Sequence, residues 1–286
     1  MKPAPFDYFD PTTTEEALAL LAQYGDDAKL LAGGQSLIPL MNFRLARPKV
    51  IIDINRIKEL DYLREDGDLL RFGALARDRT VETAPLVHQK CPFLVMASSL
   101  VGHLQIRNRS TIGGASAQAD PAGEMIAALK GLDAAFVIRG QGGERTEEAQ
   151  DFFVTYLTTT LDPTEMITEV RVPIQPPGTR FAFEEVARRH GDFAICGVGV
   201  NVHLDASGRV EKASICMCGA GPTPLRASEA EEMLTGETPD EKLVRAAGER
   251  AAEEADPDED VHATVEYRRE LVSVLTRRAL EKALSA

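Results

Sequence analysis

The chain reads Ala32-Gly33-Gly34-Gln35-Ser36 after a short strand-like run and Thr111-Ile112-Gly113-Gly114-Ala115-Ser116 after an apolar helical run. Both stretches join adjacent glycines to a hydroxyl residue. Backbone without Cβ atoms can approach a pyrophosphate closely, and its N–H groups and the hydroxyl can donate hydrogen bonds to phosphate oxygens. One Gly-Gly pair is usually only a tight turn, but two such tracts together predict a clamp on a dinucleotide.

The common nucleotide-binding motifs do not occur in this sequence. No GxGxxG follows a strand with an acidic residue about 20 residues later, and there is no GxxxxGK[ST] loop. This disfavours both a doubly wound NAD-binding domain and an NTPase. The two tracts instead favour a cofactor held in a cleft within a split α+β domain.

The elements around the first tract follow from residue patterns. Capping boxes at residues 12–16 predict a helix that Gly25 ends, and the first 75 residues are expected to form a small mixed α/β unit. In this unit we predict strands at residues 29–32, 50–54 and 69–73 and a second helix within residues 35–44.

Farther along, apolar periodicity predicts helices at residues 91–100 and 122–129 and strands at residues 134–139, 165–172, 180–186, 194–204 and 213–218. A final helix is also expected, with Tyr267, Leu271, Val274 and Leu275 on one face. The cluster Gln175-Pro176-Pro177-Gly178 is the best linker candidate, because two prolines and a glycine disfavour helix and central strand. We therefore expect a cofactor domain at residues 1–176, with subdomains at about 1–57 and 58–176, and a smaller domain at residues 177–286.

Composition limits the partners and the compartment. The formal net charge of −13 argues against unaided binding to nucleic acid or anionic lipid. No apolar stretch approaches the roughly 20 residues of a bilayer span, and residues 1–7 do not resemble a signal peptide, so we expect a cytoplasmic protein without a transmembrane segment. The four cysteines offer neither a disulfide framework nor a CxxC pair, and we expect any iron–sulfur cluster to sit on another chain. Cys216 and Cys218 are expected to pack in the core.

Several short stretches resemble the medium, FAD-carrying subunit of the xanthine dehydrogenase and carbon monoxide dehydrogenase family of molybdenum hydroxylases. They keep their order and spacing along essentially the whole chain. The stretches are Leu31-Ala32-Gly33-Gly34-Gln35-Ser36-Leu37, Gln105-Ile106-Arg107-Asn108, Thr111-Ile112-Gly113-Gly114, Ala119-Asp120-Pro121 and Gly191-Asp192-Phe193-Ala194.

The resemblance implies a fold. It is α+β, with a split two-lobed FAD-binding domain (PCMH/vanillyl-alcohol-oxidase-like) followed by a smaller antiparallel sheet-plus-helix domain. It also implies that the tract from Ala32 to Ser36 wraps the FAD pyrophosphate and that residues 111–115 close on it from the other side.

The same resemblance implies roles for single residues. Asp120 corresponds to an aspartate that accepts hydrogen bonds from ribityl or ribose hydroxyls. Phe193 corresponds to an aromatic residue near the isoalloxazine ring. Apolar positions that line the flavin or adenine correspond to Val101, Ile106, Leu161 and Ile167. The cofactor-binding set that the resemblance implies comprises Leu31, Ala32, Gly33, Gly34, Gln35, Ser36, Leu37, Val101, Ile106, Thr111, Gly113, Gly114, Ala115, Asp120, Leu161, Ile167 and Phe193.

Two positions depart from the family pattern. Ala115 stands where relatives usually carry Asn, which removes one side-chain hydrogen bond from the expected site. Glu184 stands, by counting, where NAD-reducing xanthine dehydrogenases have a lysine near the flavin. This favours a quinone, a cytochrome or another electron-transfer protein over NAD as the external acceptor, without choosing among them.

The function implied is that of an oxidoreductase subunit that binds FAD without covalent linkage. Molybdopterin would sit on a large partner subunit and two [2Fe-2S] clusters on a small one, in a dimer of heterotrimers (a heterohexamer) whose substrate this sequence does not reveal. An alternative is a stand-alone flavin oxidoreductase of the same fold, such as a reductase of enol ethers or an oxidase of small alcohols. A second alternative is a scaffold protein that has lost the cofactor.

Overall fold

The computed structural model of the protein describes residues 1–285. A three-stranded parallel sheet forms the first lobe, with strand order β1-β3-β2. Thr13 caps the first helix by accepting a hydrogen bond from the Glu16 N–H, and Ala17 and Leu21 turn inward onto the sheet. The elements of this lobe are β1 (Asp7–Phe9), α1 (Thr14–Tyr24), β2 (Ala28–Leu31), α2 (Leu37–Asn42) and β3 (Val50–Asp53).

A five-stranded antiparallel sheet, in the order β4-β5-β10-β6-β7, forms the second lobe and is covered by helices. Its strands are β4 (Leu63–Asp66), β5 (Leu69–Gly73), β6 (Ala135–Gly140), β7 (Gly143–Glu148) and β10 (Met166–Pro173), and a separate short hairpin is formed by β8 (Phe153–Thr155) and β9 (Thr158–Thr159). Its helices are α3 (Asp78–Thr83), α4 (Pro85–Lys90), α5 (Pro92–Leu100), α6 (Leu104–Arg107), α7 (Ile112–Gln118), α8 (Glu124–Gly131) and α9 (Ala149–Phe152).

The C-terminal unit is a four-stranded antiparallel sheet with three helices. Strand β12 lies at its centre, and its buried Val198, Val200 and Val202 contribute to the apolar core under the helices. The elements of this unit are β11 (Arg180–Ala187), β12 (Ala194–Leu204), β13 (Val210–Cys218), β14 (Leu225–Arg226), α10 (Ser228–Leu234), α11 (Glu241–Glu254) and α12 (Val265–Leu284).

The C-terminal sheet packs directly against the second lobe, because one face of β11, β12 and β13 shares a core with α5 and α8. Phe93 of α5 stacks on Phe183 of β11 with ring centroids 6.1 Å apart. Cys216 and Cys218 are fully buried in the same core as free thiols, which confirms their predicted packing role. The second lobe and the C-terminal unit, which both carry residues predicted to bind FAD, are therefore packed against each other.

These elements confirm the predicted α+β class, with a split N-terminal part followed by an antiparallel sheet-plus-helix part. The predicted face of the last helix is only partly buried. Leu271 and Leu275 are buried, but Tyr267 is 44% exposed and its neighbour Arg268 faces inward. Among the described residues, no helix combines the length and the apolar character needed to cross a membrane.

Candidate functional site

The first glycine tract (residues 32–36) connects β2 to α2 and presents a row of free backbone donors. Within the described residues, the N–H groups of residues 33–37 donate no hydrogen bond to the protein. Gly34 has a φ of 74°, a conformation that favours glycine, and the Gln35 side-chain amide donates to the Gly33 carbonyl over 3.1 Å. Consecutive unpaired N–H groups of this kind form a cradle for an anion.

The second glycine tract (residues 111–115) differs from the expected loop, since it forms the N-cap and first turn of α7. The Gly113 N–H donates to the Ala74 carbonyl, and the Gly114 N–H donates to the Thr111 hydroxyl oxygen. The Ile112 N–H donates to the Ala76 carbonyl. The expectation that this tract offers free N–H donors is therefore wrong for these three groups, because the cap and residues 74–76 already accept their hydrogen bonds.

The first tract lies against the segment just before the second tract, and the glycine at position 33 is what allows this approach. A Cβ atom placed on Gly33 would lie 2.3 Å from the Arg109 carbonyl oxygen and 2.7 Å from the Ser110 Cα. A Cβ atom on Gly114 would approach the Ala32 methyl group to 3.6 Å. The structure thus brings both tracts to one place, as a two-sided clamp requires.

A cavity of about 400 Å³ opens beside the first tract. Its walls come from the first lobe and from the segment before the second tract. They comprise Leu31, Gly33, Gly34, Gln35, Ile38, Pro39, Asp53, Asn55 and Arg109.

Asp53 and Arg109 give this cavity one negative and one positive group. Burial alone would raise the pKa of Asp53, but hydrogen bonds from Asn55 and Tyr8 and the charge of Arg109 outweigh it and hold the pKa below its ordinary value. The Tyr8 hydroxyl donates to the Asp53 carboxylate over 2.7 Å, and this bond is the largest cause that raises the pKa of Tyr8 to about 12. The carboxylate is therefore ionised at neutral pH, in reach of hydroxyl donors.

Four of the other predicted residues do not line this cavity. Val101 follows α5 directly, and its carbonyl oxygen accepts a hydrogen bond from the Arg107 guanidinium over 3.0 Å. Ile106 lies on α6 within contact of Gly102. Phe193 is 65% exposed in the loop between β11 and β12, and the same loop meets this segment where Gly191 packs on the His103 ring. Asp120 accepts a hydrogen bond from the Ala122 N–H, and burial raises its pKa.

Leu161 and Ile167 are placed differently. Ile167 is 5% exposed on β10, opposite Ile138, and belongs to the core of the second lobe. Leu161 is partly buried and packs against the same core. Both side chains therefore belong to the second-lobe core, and neither lines the cavity beside the first tract.

Glu184 does not face the expected flavin cleft, which corrects the interpretation of this position. Its carboxylate pairs with Lys282 of α12 over 2.7 Å, on the sheet face opposite Phe183. The next residue, Glu185, faces the second lobe, because successive side chains on a strand alternate between faces. Burial raises the pKa of Glu185 to about 7. Glu184 therefore gives no reason to disfavour NAD as the external acceptor.

Sequence patterns missed the polar residues that support the tracts. Asp78 is fully buried at the start of α3 and accepts a hydrogen bond from the Ser110 hydroxyl, and burial raises its pKa to about 6. Asp53, Asn55 and Arg109 were also missed. The only sequence signal was two polar residues, Asp53 and Asn55, at the end of an apolar strand.

Comparison with known proteins identifies the family to which this architecture belongs. A family model described as the FAD binding domain in molybdopterin dehydrogenase matches residues 4–175, and one described as the CO dehydrogenase flavoprotein C-terminal domain matches residues 181–283. The chain therefore belongs to the flavoprotein family of the molybdopterin dehydrogenases. FAD is its cofactor, and the family's members are oxidoreductases.

Relatives of this flavoprotein align along nearly its whole length. The 6-hydroxypseudooxynicotine dehydrogenase complex subunit alpha of Paenarthrobacter nicotinovorans is 41% identical over 99% of this chain and 96% of that protein. The carbon monoxide dehydrogenase medium chain of Hydrogenophaga pseudoflava is 37% identical over 99% of this chain and 98% of that one. The resemblance to medium subunits is thus confirmed.

Solved structures agree with the sequence relatives. Carbon monoxide dehydrogenase from Hydrogenophaga pseudoflava, in a form lacking the Mo-pyranopterin moiety of the molybdenum cofactor, superimposes with a TM-score of 0.97 at 38% identity, covering 100% of this chain and 99% of that one. Quinoline 2-oxidoreductase from Pseudomonas putida 86 gives 0.94 at 32% identity, with the same coverage. Members that differ this much in substrate share the flavoprotein fold, so the fold does not identify a substrate.

The residues present fit FAD. The free N–H groups of residues 33–37 are suited to phosphate oxygens, and the adjoining cavity contains an ionised carboxylate.

Proposed function

We propose that this chain is the electron-transfer subunit of a molybdenum hydroxylase. It accepts electrons from [2Fe-2S] clusters of a small partner subunit and passes them to an external acceptor. The relatives called medium chain or medium subunit support this proposal. FAD, when bound, supplies the redox chemistry, and the chain's residues bind it, orient it and tune its surroundings.

The observation that carries the proposal is the contrast between the two tracts. Residues 33–37 offer unpaired N–H donors, whereas the first N–H groups of α7 are already paired with the protein. We infer that the first tract binds the pyrophosphate. The segment that leads into the second tract supports the first tract through close backbone contact at Gly33. Asp53 then accepts hydrogen bonds from sugar hydroxyls in the cavity.

We extend the proposal to the other site residues. Asp120, Val101, Ile106 and Phe193 line the path from the tracts toward the C-terminal unit, where the isoalloxazine ring would lie. Leu161 and Ile167 pack in the core that also contains Ile112 of α7. The proposed ligands in the tracts and beside them are Leu31, Ala32, Gly33, Gly34, Gln35, Ser36, Leu37, Thr111, Gly113, Gly114 and Ala115. The proposed boundary between the FAD-binding and C-terminal domains is at residues 176 and 177.

Partners complete the proposed relay. Burial raises the pKa of Cys91, Cys196 and Cys216 to about 12, so these thiols stay protonated inside the core and are poor cluster ligands. We propose that the clusters and the molybdopterin lie on a small and a large subunit, in a dimer of heterotrimers in the cytoplasm. Free thiols agree with that reducing compartment.

Purification from the native host tests this assignment. We expect the chain to carry FAD that acid releases, and to co-purify with two further chains that contain molybdenum and iron–sulfur clusters. Substrate turnover by the isolated chain would instead support a stand-alone flavin oxidoreductase. A colourless chain that FAD cannot reconstitute would contradict the cofactor site itself.

A further inference from the structure

Two polar side chains, Asn55 and Arg77, connect the two glycine tracts, which are far apart in the sequence. The Asn55 side-chain nitrogen donates to the Ala32 carbonyl of the first tract over 2.7 Å. Its side-chain oxygen accepts a hydrogen bond from Arg77 over 2.7 Å. Another guanidinium nitrogen of Arg77 donates to the Arg109 carbonyl, two residues before the second tract. A continuous hydrogen-bonded path therefore runs from one tract to the other.

This path crosses between the lobes. Asn55 follows β3 of the first lobe, and Arg77 follows β5 of the second lobe. Both ends of the path are fixed by further contacts. The Asn55 N–H and side-chain nitrogen both donate to Asp53, at 2.9 and 2.7 Å, and the backbone of Arg77 pairs with Thr111 in an isolated antiparallel bridge.

We propose that Asn55 and Arg77 are positioning residues that hold the first tract against the segment before the second tract, in the arrangement that receives the FAD pyrophosphate. The inference rests on the proposed role of the tracts in holding FAD. Neither side chain needs to touch the cofactor. Their part is to hold the Ala32 and Arg109 carbonyls at a fixed separation, so that the free N–H groups of residues 33–37 face the second tract before FAD arrives.

The chemistry of both side chains suits this role. A carboxamide can donate to one carbonyl while it accepts from a guanidinium, and a guanidinium can donate to two acceptors at once through its planar fork. Aspartate at position 55 would replace the donating side-chain nitrogen with an oxygen. This oxygen would face the Ala32 carbonyl oxygen and the Asp53 carboxylate, both of which are acceptors. Lysine at position 77 would keep the charge but lose the fork.

The test measures the affinity of the full apo-chain for FAD and for FMN, which carries a single phosphate, in N55D and R77K. We expect the FAD dissociation constant to rise about tenfold in both variants, as loss of a part-buried hydrogen bond that fixes the first tract implies. The FMN constant should change far less, because FMN has one phosphate rather than a pyrophosphate to place on the positioned N–H groups. The preference for FAD over FMN should therefore shrink.

Matched controls are available beside each position. Arg56 pairs with Asp10 at the surface and Arg79 pairs with Glu82, so R56K and R79K should leave the FAD-to-FMN preference unchanged. The urea midpoint of each apo-variant reports folding. If N55D fails to fold, R77K still tests the inference, because this substitution keeps the backbone bridge between residues 77 and 111.

Two outcomes would overturn the inference. One is FAD affinity in both variants equal to that of the unmodified chain, and the other is an equal loss of FAD and FMN affinity, which indicates only a structural role. An unmodified chain that binds no FAD would instead refute the proposed function.

Discussion

Gly33 is the residue of the first tract that lies against the segment leading into the second tract. It is buried, and the Arg109 carbonyl occupies the position where a side chain would begin. Its φ does not lie in the left-handed region, so glycine is required here by contact rather than by backbone conformation. Any larger residue must move the first tract away from the segment that leads into α7.

We therefore expect G33A to lose FAD. The added methyl group overpacks the contact at a cost of about 1–3 kcal/mol of folding free energy and widens the clamp. Equilibrium binding of FAD to the apo-chain should weaken by at least about tenfold. The matched control is G142A, which should bind FAD normally because a methyl group at position 142 would meet nothing within 4 Å. Normal FAD binding by G33A would contradict the contact argument.

Glu124 is a buried acid at the start of α8, 4% exposed. Burial, followed by the charges of Glu185, Asp120 and Asp78, raises its pKa to about 8. The folded state therefore keeps a proton between about pH 4.5 and 8 that the unfolded state has lost.

The sign of the pH dependence follows from this. Stability falls as pH rises wherever the folded state binds more protons, here by about 1 kcal/mol per pH unit for one such group. The free energy of unfolding should thus decline from about pH 5 to about pH 8, and E124Q should flatten that decline. Urea unfolding at several pH values measures it, with the exposed Glu249 as control in E249Q. An unchanged slope in E124Q would show that Glu124 ionises normally in the folded chain.

Among the elements, α12 is tied to the sheet by one buried arginine. The Arg268 guanidinium donates to the carbonyls of Ile195 and Gly219 and pairs with Asp260 over 2.8 Å. These carbonyls lie at the start of β12 and just after β13, close to the loop that carries Phe193. The helix thus fixes the edge of the C-terminal unit that adjoins the proposed site.

Replacing this arginine should destabilise the chain. R268M leaves two carbonyls without their donor, and we expect a loss of about 2–4 kcal/mol from unfulfilled buried hydrogen bonds. The neighbouring Arg269 is exposed, so the urea midpoint of R269M should be close to that of the unmodified chain. Urea midpoints compare the two variants, and equal midpoints would refute the role given to Arg268.

The elements also show where sequence patterns succeed. Alternating apolar residues with a polar turn predict the hairpin of β12 and β13, since both signals are local. The α7 helix was not predicted, because Gly113 and Gly114 disfavour helix. Its first turn is stabilised by acceptors from residues 74–76, and no local pattern reports a partner that far away in the sequence.

For the whole molecule, the family resemblance predicted the two-lobed FAD fold, and the structure and comparisons confirm it. The side of the sheet that faces the site could not be predicted. A shift of one residue turns a strand side chain to the opposite face, which is why counting indicated Glu184 while Glu185 faces the second lobe. The Asn55 to Arg77 path was equally hidden, because it joins residues from different sheets.

We propose that the first tract, rather than the second, supplies the free backbone donors that hold FAD. Amide hydrogen exchange of the full chain, with and without FAD, tests it most directly. We predict that the N–H groups of residues 33–37 exchange freely in the apo-chain and become protected by at least about tenfold when FAD binds. The N–H groups of residues 112–114 should already be protected without FAD, since the protein accepts their hydrogen bonds. If FAD binds and the N–H groups of residues 33–37 exchange as fast as in the apo-chain, the first tract does not hold FAD through its backbone donors.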